Sequence, residues 1–148
     1  MALIHCLKMA QRLGIVIFGA TGYTGKVVVE KIVSLAQKKN LSWGIAGRSK
    51  AKLQNLLNDV SKQKGWRKDY FECDLNFLFS GVVLKDVKVI VANVDDPESM
   101  VSMAKMCKVL INCVGPYRHW GEQTVRACVE SGTHHVDVSG EPEVQTTF

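Results

Sequence analysis

The stretch VIFGATGYTGK, residues 16–26, limits what this chain can fold into more than any other. An apolar run gives way to three glycines, Gly19, Gly22 and Gly25, and then to residues with helical periodicity. Glycines so placed suit two kinds of phosphate cradle. A mononucleotide loop requires G-x-x-x-x-G-K-[ST], in which the lysine reaches the terminal phosphates and the next hydroxyl holds magnesium. Here five residues separate Gly19 from Gly25 and Val27 follows Lys26, so that hydroxyl is missing. A dinucleotide loop needs one glycine to turn off the strand, one to let the backbone approach the pyrophosphate and one for helix and strand to pack closely. Gly19, Gly22 and Gly25 fill those roles as G-x-x-G-x-x-G in place of G-x-G-x-x-G. Thr21, Tyr23 and Thr24 stand between them, where a helix amino end would face the phosphates.

The rest of the chain repeats the alternation. Strands are predicted over LGIVIF (13–18), LSWGIAG (41–47), VKVIVAN (87–93), KVLINCVG (108–115) and HHVDVSG (134–140). Helices are predicted over about 24–38, from Lys50 to a stop at Gly65, over DPESMVSMAKM (96–106) and over GEQTVRACVESG (121–132). The first helix should bury Val27, Val28, Ile32 and Leu35, and the second Leu53, Leu56, Leu57 and Val60. Asp96 before Pro97 is a helix-opening pair. Strands alternating with helices indicate an α/β fold with a doubly wound parallel sheet, a Rossmann-like NAD(P)-binding domain over 13–148. Residues 1–12 read as an N-terminal extension. Residues 69–86 fit a hairpin, an edge strand or an insertion, and the chain is expected to stop before any substrate domain.

A length of 148 residues with 47% apolar and 22% charged content suits one soluble domain. Apolar stretches such as FLFSGVVL (77–84) are about half as long as a bilayer-spanning helix, so no transmembrane segment is expected and the chain reads as intracellular and cytoplasmic. Five cysteines without a C-x-x-C pair read as reduced thiols, and no metal site is expected. The net charge of +5 is uneven: through Lys68 there are 13 basic and 2 acidic residues, and afterwards 6 basic and 12 acidic. A basic half attracts polyanions. Its lysines, however, fall at helical surface spacings and no nucleic-acid motif accompanies them, so no nucleic-acid partner is expected.

The end of the second strand selects the cofactor. A carboxylate there would bind the ribose 2′-hydroxyl of NAD, whereas arginine accommodates a 2′-phosphate. The sequence AGRSK offers Arg48, Ser49 and Lys50, which favours NADP(H) over NAD(H). Gly115 and Pro116, ending the fourth strand, remove bulk where a nicotinamide ribose would lie.

Catalytic residues are not identified by any motif. None of Tyr23, Tyr70 and Tyr117 has lysine four positions on, which disfavours a short-chain dehydrogenase mechanism. Tyr117, His119, Asp137 and Glu141 are candidates for proton transfer at the carboxyl rim of the sheet, with helix capping as the alternative. His134 and His135 would point to opposite faces and not share an ion, and Cys113 reads as a small buried filler.

Taken in order, VIFGATGYTG, WGIAGRSKAKL, DDPESMVSMAK, INCVGPYRHWGE and HHVDVSGEPE resemble the N-terminal dinucleotide domain of the saccharopine dehydrogenase-like oxidoreductases, over about 13–68 and 87–144. The resemblance implies an NAD(P)-dependent oxidoreductase with Gly19, Gly22 and Gly25 at the pyrophosphate and Arg48 at the adenosine phosphate. It also implies association with lipid droplets or membranes, for which no segment gives a basis. Asn93 stands where this pattern expects an adenine-contacting aspartate, with Asp95 and Asp96 just beyond. Relatives run to several hundred residues, so the chain is expected to lack their substrate portion, leaving a surface for a second copy or a partner to cover. The alternative to an oxidoreductase portion is a non-catalytic interaction or regulatory module on the same fold.

Overall fold

Short β-branched runs separated by one-sided helices can bury both sheet faces only by placing helices on each side. The computed structural model, which describes residues 12–62 and 84–140, has this arrangement. Strands β1 (Leu13–Phe18), β2 (Trp43–Gly47), β3 (Lys88–Val91), β4 (Cys107–Asn112) and β5 (His134–Asp137) alternate with α1 (Tyr23–Lys39), α2 (Lys50–Lys62), α3 (Pro97–Lys105) and α4 (Tyr117–Ser131). All neighbours are parallel and the order is β3-β2-β1-β4-β5. The winding reverses between β1 and β4, and Phe18 registers with both Ala46 and Asn112, so three carboxyl ends stand level at that point. Crevices at such a reversal are where open α/β sheets bind ligands.

Successive β1 side chains enter opposite layers. Ile17 packs with Val29, Ile32, Val33 and Ala36 of α1 and with Leu53 and Leu56 of α2. Val16 and Phe18 pack with Met100, Met103 and Ala104 of α3 and with Ala127 and Cys128 of α4. Asp96 caps α3 as expected, its Oδ1 accepting the Ser99 N–H at 3.2 Å, with Pro97 at the start of the helix. Arg12 fastens the amino end of the sheet, donating to the carbonyls of Ala104 and Gly132, each at 3.2 Å, and to the Thr133 hydroxyl.

Strands β2, β3 and β5 are shorter than expected, and other local expectations differ from the structure. The buried side of α1 is Gly25, Val29, Ile32, Val33 and Ala36, while Val27 and Leu35 are exposed. Three consecutive valines leave the helix phase open, and the packing of Gly25 on the preceding loop fixes it. Strand β4 ends at Asn112, because the Val114 N–H turns back to Asn112 Oδ1 at 3.0 Å. Helix α4 begins at Tyr117, with Pro116 as its cap after a cis Gly115–Pro116 bond, so Gly121 is an interior residue and not its start.

Residues 1–11 of the expected extension, the expected stop at Gly65, residues 69–83 and Glu141 lie outside the described residues. Leu84–Asp86 form one 3₁₀ turn. Among the described residues no helix is long and apolar enough to cross a membrane.

Candidate functional site

Five segments meet at the reversal point around a cleft of about 280 Å³, close to the lower limit of small-molecule sites. Phe18, Gly19, Thr21 and Gly22 come from β1 and its loop, and Gly47 and Arg48 from the end of β2. Val94 and Asp95 follow β3, Cys113, Val114 and Gly115 follow β4, and Trp120 reaches in from α4.

The β1–α1 loop is held by main-chain bonds. The Gly19 and Ala20 N–H groups donate to the Ala46 carbonyl at 3.0 and 3.3 Å, and the Gly22 N–H donates to the Gly19 carbonyl at 2.9 Å. Gly19 has φ +79°, a left-handed conformation that favours glycine, and a Cβ there would lie 2.7 Å from Val114 Cγ2. At Gly25 a Cβ would lie 2.1 Å from the Gly19 carbonyl oxygen and 2.8 Å from Ala20 Cα, so only glycine lets α1 start this close to the loop. Gly22 is the N-cap of α1, with no side-chain cap hydrogen bond among the described residues. An amino end without a capping oxygen carries partial positive charge suited to an anion. These features fit a dinucleotide's pyrophosphate.

Of the residues singled out from sequence, Gly19, Thr21, Gly22, Arg48 and Gly115 line the cleft. Tyr23 and Thr24 occupy the first turn of α1, Tyr23 being 79% exposed. Ser49 sits beside Arg48 at the start of α2, where its hydroxyl accepts the Lys52 N–H at 3.4 Å. Gly115 and Pro116 form the turn into α4, and a Cβ on Gly115 would meet nothing closer than 3.6 Å. Asn93 is pinned by Ser99: its N–H donates to Ser99 Oγ at 3.1 Å, and that hydroxyl donates to the Asn93 carbonyl at 3.2 Å. Its Oδ1 is buried without a hydrogen-bond partner among the described residues. The cleft wall after β3 is Val94 and Asp95.

Sequence reasoning missed Phe18, Gly47, Val94, Val114 and Trp120 as cleft residues, and treated Asp95 and Cys113 only in other roles. Their signal was position alone, each lying at or just beyond a strand's carboxyl end or in the first turn of a helix.

The described proton-transfer candidates Tyr117, His119 and Asp137 do not gather at this cleft. The Tyr117 hydroxyl donates to the Asn112 carbonyl at 3.1 Å, and His119 Nε2 accepts from Arg118 Nε at 3.3 Å on the exposed side of α4. Asp137 Oδ1 accepts the Ser139 N–H at 3.1 Å. Burial pushes the Cys113 thiol up to about 11, so it faces the cleft protonated at neutral pH. Burial likewise pushes Cys107 to about 11 and Cys128 to about 12. His134 is exposed while His135 is partly buried, as alternation requires. No group of three or more His, Cys, Asp and Glu among the described residues could hold a metal ion.

Residues 15–147 match the family model described as saccharopine dehydrogenase NADP binding domain. The chain is 38% identical over 133 residues to a saccharopine dehydrogenase-like oxidoreductase of Mus musculus, covering 87% of this chain and 28% of that protein. It is 42% identical over 131 residues to a lipid droplet localized protein of Caenorhabditis elegans, covering 88% of this chain and 27% of that one. It therefore spans little more than a quarter of the length of these relatives. The fold is similar to that of apo saccharopine dehydrogenase (L-Glu forming) from Saccharomyces cerevisiae, with a TM-score of 0.59 at 16% identity, over 90% of this chain and 23% of the other.

Proposed function

Because this chain belongs to the saccharopine dehydrogenase NADP-binding domain family, we propose that its cleft holds NADP(H) in preference to NAD(H), as the cofactor-binding portion of a hydride-transferring oxidoreductase. The observation that carries the reading is the glycine-capped start of α1, where the Cβ positions of Gly19 and Gly25 are already filled by protein atoms and the N-cap makes no side-chain hydrogen bond.

The residues divide the cofactor between them. The main chain of Thr21, Gly22, Tyr23 and Thr24 faces the pyrophosphate, with Gly19 and Gly25 holding the loop in shape. Arg48 and Ser49, at the end of β2 and the start of α2, meet the 2′-phosphate, and no carboxylate on that strand end repels it. Asn93, with Val94 and Asp95, borders the adenine. Gly115 and Pro116 border the nicotinamide ribose. When bound, the cofactor supplies or accepts a hydride at its nicotinamide ring. Substrate recognition and any proton transfer belong to the part of the family's length that this chain does not span. A cytoplasmic setting, with association to lipid droplets as in the name of the C. elegans relative, goes with this reading.

A second reading has one observation in its favour: none of Tyr117, His119 and Asp137 lines the cleft. On that reading the chain serves as a non-catalytic interaction or regulatory module on the same fold, and a second copy or partner covers its free surface. Titration with NADPH and NADH, followed by nicotinamide fluorescence, tests the main proposal. Saturable binding with NADPH roughly tenfold tighter, or better, supports it, since that ratio corresponds to about 1.4 kcal/mol. Equal affinities would remove the NADP preference, and binding of neither would favour the interaction module.

A further inference from the structure

Asparagine is an unusual choice inside a parallel strand, where both faces are covered and apolar residues suit better. Asn112, the last residue of β4, has no exposed surface, and its Nδ2 is buried without a hydrogen-bond partner among the described residues. An apolar residue there would avoid the loss that a buried, unsatisfied donor brings. What the amide provides lies on its other atom. The Cys113 N–H still reaches β1, donating to the Phe18 carbonyl at 2.9 Å. One residue on, β1 has turned away at Gly19, and the Val114 N–H donates instead to Asn112 Oδ1 at 3.0 Å. Asparagine side chains close turns of this kind two residues ahead of themselves.

The same residue is held from the far end of the turn. Tyr117, the first residue of α4, donates its hydroxyl to the Asn112 carbonyl at 3.1 Å, and its ring lies against Gly115, where a Cβ would stand 3.6 Å from Cε2. Cys113, Val114 and Gly115, the cleft residues that follow β4, are thereby spanned by two bonds that both end on Asn112.

We infer that Asn112 and the Tyr117 hydroxyl form a clamp that sets the nicotinamide side of the cleft, an inference that rests on the nucleotide reading above. Neither residue lines the cleft. Both are positioning residues, acting through the main chain of Val114 and Gly115. Val114 packs beside Gly19, yet the glycine loop has its own support, the Gly19 and Ala20 N–H groups being bonded to the Ala46 carbonyl of β2. Arg48 follows that same strand. Loosening the clamp should therefore reach the nicotinamide half of the cofactor and spare the adenosine half.

Calorimetric titration of the 148-residue chain with NADPH and with adenosine 2′,5′-bisphosphate, which lacks the nicotinamide half, tests this. Asn112→Ala should weaken NADPH roughly three- to tenfold, the worth of one hydrogen bond, while the bisphosphate binds as before. Asn112→Ser, whose hydroxyl accepts the same N–H more weakly, should recover part of the loss. Tyr117→Phe keeps the ring on Gly115 and loses only the hydroxyl, so it should show the same selective loss, and it serves where circular dichroism finds Asn112→Ala unfolded. In both variants the nicotinamide of bound NADPH should have lower fluorescence anisotropy than in the parent, because its wall is held less firmly. Equal losses for the two ligands, or unchanged NADPH affinity and anisotropy in the folded variants, would overturn the clamp and leave the nucleotide reading standing. A parent chain that binds neither ligand would remove that reading and the clamp with it.

Discussion

A Cβ atom on Gly25 would stand 2.1 Å from the carbonyl oxygen of Gly19. The first turn of α1 thus abuts the loop leaving β1, and the obstacle is main chain that cannot swing aside. Gly25→Ala should cost about 2–3 kcal/mol, the upper part of the usual overpacking range. Urea unfolding at constant m-value measures it, and a loss within error of zero would show that the helix start is less tightly packed than described.

Gly22→Asp should separate stability from binding. Gly22 has φ −74° and ψ 172°, which any residue adopts, and aspartate is a favoured N-cap. A Cβ there would lie 3.2 Å from the Gly19 carbonyl, so the neighbour must give slightly. Stability should stay within about 1 kcal/mol of the parent while the new carboxylate competes for the helix end. NADPH affinity should fall at least tenfold. Undiminished affinity in the folded variant would remove the pyrophosphate from this helix end.

Arg48→Ala addresses the choice of cofactor. Loss of a charge-assisted hydrogen bond, worth about 1.5–3 kcal/mol, should weaken NADPH roughly 10- to 100-fold and leave NADH nearly unchanged. Parallel titrations provide the comparison, and an equal loss for both nucleotides would assign Arg48 to another part of the cofactor.

His135 should make stability depend on pH. Burial lowers its pKa below the ordinary 6.5, and nearby Asp137 opposes this without cancelling it. The unfolded chain therefore binds this proton more readily than the folded one. The contribution is fully present above about pH 6.5 and is lost as the pH falls through the folded value. Urea midpoints should drop between about pH 7.5 and about pH 5.5, and His135→Gln should flatten part of that slope. An unchanged slope would assign the dependence to other groups.

The sequence carried the fold in its periodicity and the centre of the cleft in its glycines. VIFGATGYTGK specified strand, loop and helix in order, because the steric demands of Gly19 and Gly25 are local. The buried face of α1 was harder to read: Val27, Val28 and Val29 are equally apolar, and the choice among them rests on a contact between Gly25 and the preceding loop. The end of β4 depended on a side-chain bond from Asn112 that a run of apolar residues conceals. Val94, Asp95, Val114 and Trp120 come together only through the strand order, which places the β3 and β4 loops on either side of β1. No local pattern announces that meeting.

The most direct measurement is a ¹H–¹⁵N correlation spectrum of the labelled chain during NADPH titration. Saturable shifts should concentrate at the amides of residues 19–25, at Arg48 and Ser49, and around 113–115. Shifts confined to other surfaces, or amides of 19–25 that stay still while nucleotide binds, would contradict the account.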